Sequence, residues 1–174
     1  MNNNNKLDLT KYILQSFLSW YKEVGENVEN NDLSILKSLK LFFLLSTIDS
    51  NEENNLASLG FTNYSALPLG PVEMDVYGYF KNELTEVISR TCLNKNKMSP
   101  VDIEAKEKEI IDSLVSKLKT KNKELIQQSA SYLVDLTHKY ASWIKSYNQA
   151  VSSGRSAQAM DMEFFRTEDK FYYL

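Results

Sequence analysis

A chain of 174 residues with 43% hydrophobic and 25% charged side chains has the length and balance of one globular core, which excludes a disordered polypeptide. Its formal net charge of -3 gives no long-range attraction for phosphate backbones, so nucleic acid is not an expected partner. The longest nearly unbroken apolar run, Leu39 to Leu45, includes Lys40 and falls far short of the roughly 20 residues that a membrane span needs, so no membrane is expected either.

Asn2 to Asn5 form a polar tract without periodic apolar positions, and residues 1–6 are expected to be a disordered terminus ahead of a single domain over 7–174. Leu9, Ile13, Phe17, Trp20, Tyr21 and Val24 recur at helical spacing from Asp8 onward, and Gly25 follows where a left-handed cap would end the helix. Asp32 is placed to cap a second helix bearing Leu33, Leu36, Leu39 and Phe43. Because Leu41 to Leu45 are apolar all round, that helix is expected at the centre of the domain. Asp49 to Asn55 read as a surface loop.

Leu59 to Leu69 give neither clean period, leaving a short β-hairpin or an irregular packed loop near 56–69 both open. Gly70 and Pro71 precede Val72, Glu73, Met74, Asp75 and Val76. Proline at a first helical position with acids behind it predicts a helix start there. The stripe Val76, Phe80, Leu84, Val87 and Ile88 predicts that this helix continues towards Asn94. Ser99, Pro100 and Asp102 predict the start of a fourth helix, with Ile103, Ile110, Ile111, Leu114, Val115 and Leu118 as its apolar face. Asn122 is placed to cap a fifth carrying Leu125, Ile126, Tyr132, Leu133 and Leu136. A short sixth holds Trp143, Ile144 and Tyr147 before Ser152, Ser153 and Gly154. Phe164, Phe165, Phe171, Tyr172 and Tyr173 make the remainder too aromatic for a free tail, so it is expected to dock. The fold class is therefore mainly α, a compact multi-helix bundle around a buried second helix.

Chemical signals are sparse. Cys92 is the single cysteine and His138 the single histidine. No internal disulfide is possible and no signal-like segment opens the chain, so a cytoplasmic location is expected. A Cys92–His138 dyad would need tertiary folding to form, and no signature surrounds Cys92. Asp135 and His138 stand three apart but lack further ligands, so no metal is expected. With five scattered glycines there is no phosphate loop, so no cofactor is expected. Lys117, Lys119, Lys121 and Lys123 form a local basic run at a predicted helix end.

Three stretches are distinctive. Leu36-Lys37-Ser38-Leu39-Lys40-Leu41-Phe42-Phe43 resembles a Leu-x-Lys-Leu-Leu-Tyr-Phe segment of the Panacea antitoxin family. Ala66-Leu67-Pro68-Leu69-Gly70-Pro71-Val72, followed by Val76 and Tyr77, resembles that family's Ala-x-x-x-Gly-Pro-Val and Val-Tyr stretch. Leu133-Val134-Asp135-Leu136-Thr137-His138, with Trp143 five residues on, is similar to its third. Ser38 and Phe42 depart from the more usual types.

The resemblance implies a compact helical domain, common in phage and mobile-element genes, that holds inactive a protein toxin encoded beside it. Some relatives are proteolytic adaptors that deliver the toxin to a housekeeping protease. It implies no catalysis, and it singles out Gly70, Pro71, Val72, Val76, Tyr77, Thr137, His138 and Trp143 as structural or partner-binding residues. Two further readings stay open. A small hydrolase would require His138 in an open pocket beside Cys92 or a serine, and a nucleic-acid regulator would require the Lys117–Lys123 run to join other cations on one face.

Overall fold

A computed structural model describes residues 3–174, with seven α-helices and a three-stranded antiparallel sheet among them. The first helix, α1, spans Asn3–Glu23. It ends as the spacing predicts, with Gly25 at φ +88°. The expected disordered terminus is corrected: Met1 and Asn2 lie outside the described residues, but Asn3 to Lys6 already form the first turns of α1. Long-range hydrogen bonds hold this start, among them Asn5 donating to Glu107 at 2.8 Å and Lys6 Nζ donating to Glu73 at 2.7 Å.

The second helix, α2, spans Ile35–Thr47, and every residue from Lys37 to Thr47 is buried. Its cap is Ser34, whose hydroxyl accepts from the Lys37 N–H at 3.2 Å, rather than Asp32. Asp32 is drawn instead to the buried Lys37 amine, 2.6 Å away. Consecutive residues on a helix point about 100° apart, so Phe42 and Phe43 seed different clusters. Phe42 meets Phe17 and Phe80 edge-on and also contacts Phe61. Phe43 meets Tyr64, Tyr140 and Phe165 edge-on. One helix therefore unites both halves of the core, which explains why the apolar run has no polar face.

The ambiguous stretch is a hairpin. Strand β1, Tyr64–Leu67, pairs with β2, Gly70–Glu73, in the register Leu67↔Gly70 and Ala66↔Pro71. Pro71 is therefore a strand residue, contrary to the predicted helix start. Proline is tolerated on an edge strand because it withholds an N–H that no neighbour needs, and β2 lies at the edge of the order β2-β1-β3.

The next helix, α3, spans Met74–Asn82 and is capped by Glu73. Glu73 is fully buried and accepts from the Val76 N–H at 2.9 Å, the Asn63 N–H at 3.1 Å and Lys6 Nζ. Lys6 also reaches Asp75 at 2.5 Å. Burial alone would raise the Asp75 carboxyl, but hydrogen bonds from Lys6 and Asn63 hold it below its ordinary range. One carboxylate thus ties α1, the hairpin and α3 together. Glu73→Gln keeps the shape but removes the charge, and it is expected to cost about 1.5–3 kcal/mol, the range for hydrogen bonds to charged groups, measured by thermal unfolding.

Helix α3 stops at Asn82, earlier than its apolar stripe predicts. Leu84, Ile88 and Leu93 are buried, but in turns joined by an Ile88–Leu93 bridge. The Asn31 amide reinforces this segment by bonding the Leu93 carbonyl and N–H. Likewise α4 spans Ala105–Lys121 and begins after Glu104, not at Ser99, because the Glu107 side chain accepts from the Glu104 N–H. Asn122 does not cap a long fifth helix. A single 3-10 turn follows it, and then α5, Ala130–Thr137, is capped by Ser129.

Helix α6 spans Ala141–Ser152 as expected. A two-residue strand β3, Gln158–Ala159, joins β1 on the side away from β2, and α7 spans Met162–Thr167. The tail docks: Phe165 is buried among Phe43 and Tyr64. Tyr173, by contrast, is exposed.

Candidate binding site at the hairpin turn

The β1–β2 turn is where the three distinctive stretches meet. Pro68 and Leu69 form its outward tip, and Gly70, the one turn residue with positive φ (+97°), brings the chain back. Behind Gly70 sit α2 and the end of α5. A Cβ built on Gly70 would lie 2.7 Å from Thr137 Oγ1 and 3.1 Å from Lys40 Nζ. Both neighbours are held: Thr137 donates to the Val134 carbonyl at 3.0 Å and Lys40 to the Pro71 carbonyl at 2.8 Å. Gly70→Ala therefore combines a left-handed penalty of about 1–2 kcal/mol with overpacking of about 1–3 kcal/mol. A loss of about 2–5 kcal/mol is expected from the two together, read as a lower urea midpoint.

Trp143 on α6 closes the other side, its indole N–H donating to the Leu67 carbonyl at 3.0 Å. His138, the C-cap of α5, stacks on Trp143 with ring centroids 3.8 Å apart, and Trp143 stacks on Tyr147 at 5.0 Å. Burial depresses the His138 pKa below its ordinary value, and the nearby Lys40 charge depresses it further. Asp135 and a hydrogen bond with the Pro68 backbone act the other way without cancelling the shift. Its buried Nε2 has no hydrogen-bond partner among the described residues.

The eight singled-out residues divide by burial. Gly70, Pro71, Val72, Val76 and Thr137 are buried and build the platform, whereas Tyr77, His138 and Trp143 are half-buried and reach the surface. Leu69 in the turn and Ile144, next to Trp143 in the sequence of α6, are exposed. Between the turn, α2 and Tyr77 is a cleft of about 390 Å³ walled by Leu36, Leu39, Leu67, Leu69 and Val72.

Sequence reasoning missed Lys40 as a site residue. The signal was present, since a lysine inside an all-round apolar helix has no solvated face to occupy. Its amine meets no carboxylate within ion-pair distance among the described residues, and burial lowers its pKa from 10.5 to about 7.

Cys92 lies with Ser89 and Thr91, while His138 lies on Trp143. No group of three or more His, Cys, Asp or Glu able to hold a metal occurs among the described residues. Within the basic run, Lys117 pairs with Asp49 and Lys119 with Glu23, so two of its four cations are engaged by acids of the same molecule.

Comparison of the chain with protein-family models, with curated proteins and with solved structures finds no match. No helix among the described residues is long and apolar enough to cross a membrane.

Proposed function

We propose that this chain is a non-enzymatic, antitoxin-like protein-binding domain that neutralises a partner toxin by direct contact, acts in the cytoplasm and belongs to a phage or mobile-element toxin–antitoxin pair. The observation that carries this reading is convergence. Three stretches far apart in sequence, each resembling a Panacea segment, are joined at one turn by the Lys40–Pro71 and Trp143–Leu67 hydrogen bonds and the Gly70–Thr137 approach. Such a construction fixes a short turn far more firmly than a two-residue connection requires, and it presents Leu69 beside an aromatic ladder. Binding energy at protein interfaces concentrates in a few rigid aromatic and apolar anchors of this kind.

The test is co-expression with the immediately neighbouring gene product, scored for growth rescue and co-purification. Rescue with a stable complex is expected. Leu69→Asp and Ile144→Asp alter exposed side chains only, and each is expected to weaken the complex without lowering the melting temperature. Rescue accompanied by loss of the neighbour would favour the proteolytic-adaptor version, in which a housekeeping protease is a second partner. A demonstrably toxic neighbour left fully active would overturn both.

A further inference from the structure

Three lysines are buried among the described residues, and they differ in one respect. Lys6 has Glu73 and Asp75, and Lys37 has Asp32. Lys40 has only the Pro71 carbonyl, which occupies one of its three N–H donors. Lys40 is also the one lysine of the three that lines the apolar cleft beside the hairpin turn. Removing a cation from water costs several kcal/mol unless a counter-charge replaces the lost hydration. The fold supplies that counter-charge twice and withholds it at the third position, where a cavity adjoins.

We propose that this cleft binds an apolar carboxylate, an alkyl or aryl chain carrying one carboxylate, with the chain against Leu36, Leu39, Leu67 and Val72 and the carboxylate on Lys40 Nζ. A volume of about 390 Å³ falls within the roughly 300–1,000 Å³ of small-molecule sites. Apart from Lys40, Tyr77 carries the one polar side chain among the residues lining the cleft, and the rest of the lining is apolar. Lys40 is fully buried in the free protein, and the exposed Leu69 lines the same cleft, so side chains lining it must turn aside for the carboxylate to reach the amine, a motion on the ps–ns scale for surface residues. The Lys40 charge also acts on His138 at the end of α5, helping to hold its pKa below the ordinary value. Burial leaves the amine easily deprotonated, and a carboxylate beside it restores the charged form. The site stands independently of any protein toxin.

Calorimetric titration of the purified full chain at pH 7 with octanoate, octanol and octylamine tests this. Octanoate is expected to bind saturably, octanol about tenfold more weakly or worse, and octylamine not at all. Lys40→Met, an apolar replacement of similar length, is expected to bring octanoate down to the affinity of octanol. Leu69→Asp places a like charge at the lip and is expected to weaken octanoate at unchanged melting temperature. A peptide ending in a free leucine carboxylate and its C-terminal amide distinguish the source: octanoate tighter than the free-acid peptide supports a free small acid, and the reverse, with the amide inert, supports a polypeptide terminus. Equal binding of octanoate and octanol, or octanoate affinity retained in Lys40→Met, overturns the proposal.

Discussion

Deleting residues 163–174 is expected to lower stability by more than about 5 kcal/mol, and hence the thermal midpoint by more than roughly 10 °C. Phe165 is 1% exposed and packs on Phe43 and Tyr64, and losing such a ring alone costs about 3–5 kcal/mol. Polar losses add to it. Glu168 accepts from the Ser142 N–H at 2.7 Å and its hydroxyl at 2.8 Å, holding the first turn of α6, for which Tyr140 provides no side-chain cap. The Tyr140 hydroxyl donates to the Phe171 carbonyl and accepts from its N–H, so truncation removes both bonds together with the Phe171 ring that packs on Tyr140. An unchanged midpoint in calorimetry would mean that these contacts contribute nothing. Because α6 carries Trp143, the truncated chain is also expected to lose order at the hairpin turn.

How much of this was legible depends on what each segment's signal measured. Apolar spacing reports which side chains are buried, and it identified the right residues almost everywhere. Leu84 and Ile88 are core residues, as their spacing implies, yet they sit in turns. Spacing cannot separate a further helical turn from a tight reversal that returns the same side chains to the core. Pro71 illustrates a second limit. Gly-Pro before an acidic run fits a helix start, but whether a proline begins a helix or lies on a sheet edge depends on β1, whose pattern was ambiguous because it alternates over only four residues. The caps at Ser34, Glu104 and Ser129 were misplaced for a related reason. Several polar residues precede each helix, and side-chain contacts close by in the chain decide which one caps it, as Lys37 does in drawing Asp32 away from the cap.

At the site, the sequence distinguished the residues without distinguishing their roles. Gly70, Thr137 and Trp143 stand out as segments, but only the fold brings Gly70 against Thr137 and the Trp143 indole onto Leu67. Lys40 was legible as an anomaly, a cation in an apolar run. Its lack of a carboxylate was not, because Glu73, the nearest acid on the hairpin, is committed to Lys6 instead. That commitment follows from Glu73 being the cap of α3, where its carboxylate must face the Val76 N–H.

Lys40→Met is accordingly expected to stabilise the protein at and below pH 7 and to flatten its stability–pH profile. The sign follows from proton counting. In the unfolded chain Lys40 holds its proton up to its ordinary value of 10.5, whereas in the folded chain it releases it at about 7. Between those limits the unfolded state binds more protons, so stability rises with pH, by up to about 1.4 kcal/mol per pH unit for one group. Below pH 7 both states are protonated and the full penalty of a buried, carboxylate-free ammonium remains. The wild-type melting temperature is therefore expected to climb from pH 7 towards pH 10. Lys37 and Lys170, both lowered by burial, act in the same direction. His138, whose pKa is also lowered, adds a loss of stability as pH falls through its ordinary 6.5. Methionine removes the Lys40 contribution and sacrifices one hydrogen bond to Pro71, worth about 0.5–1.5 kcal/mol, so the variant's advantage should shrink as pH rises and reverse near pH 10. A wild-type slope preserved in Lys40→Met between pH 7 and 10 would show that the amine is already neutralised by another group, and would remove the electrostatic reason for a carboxylate to bind there.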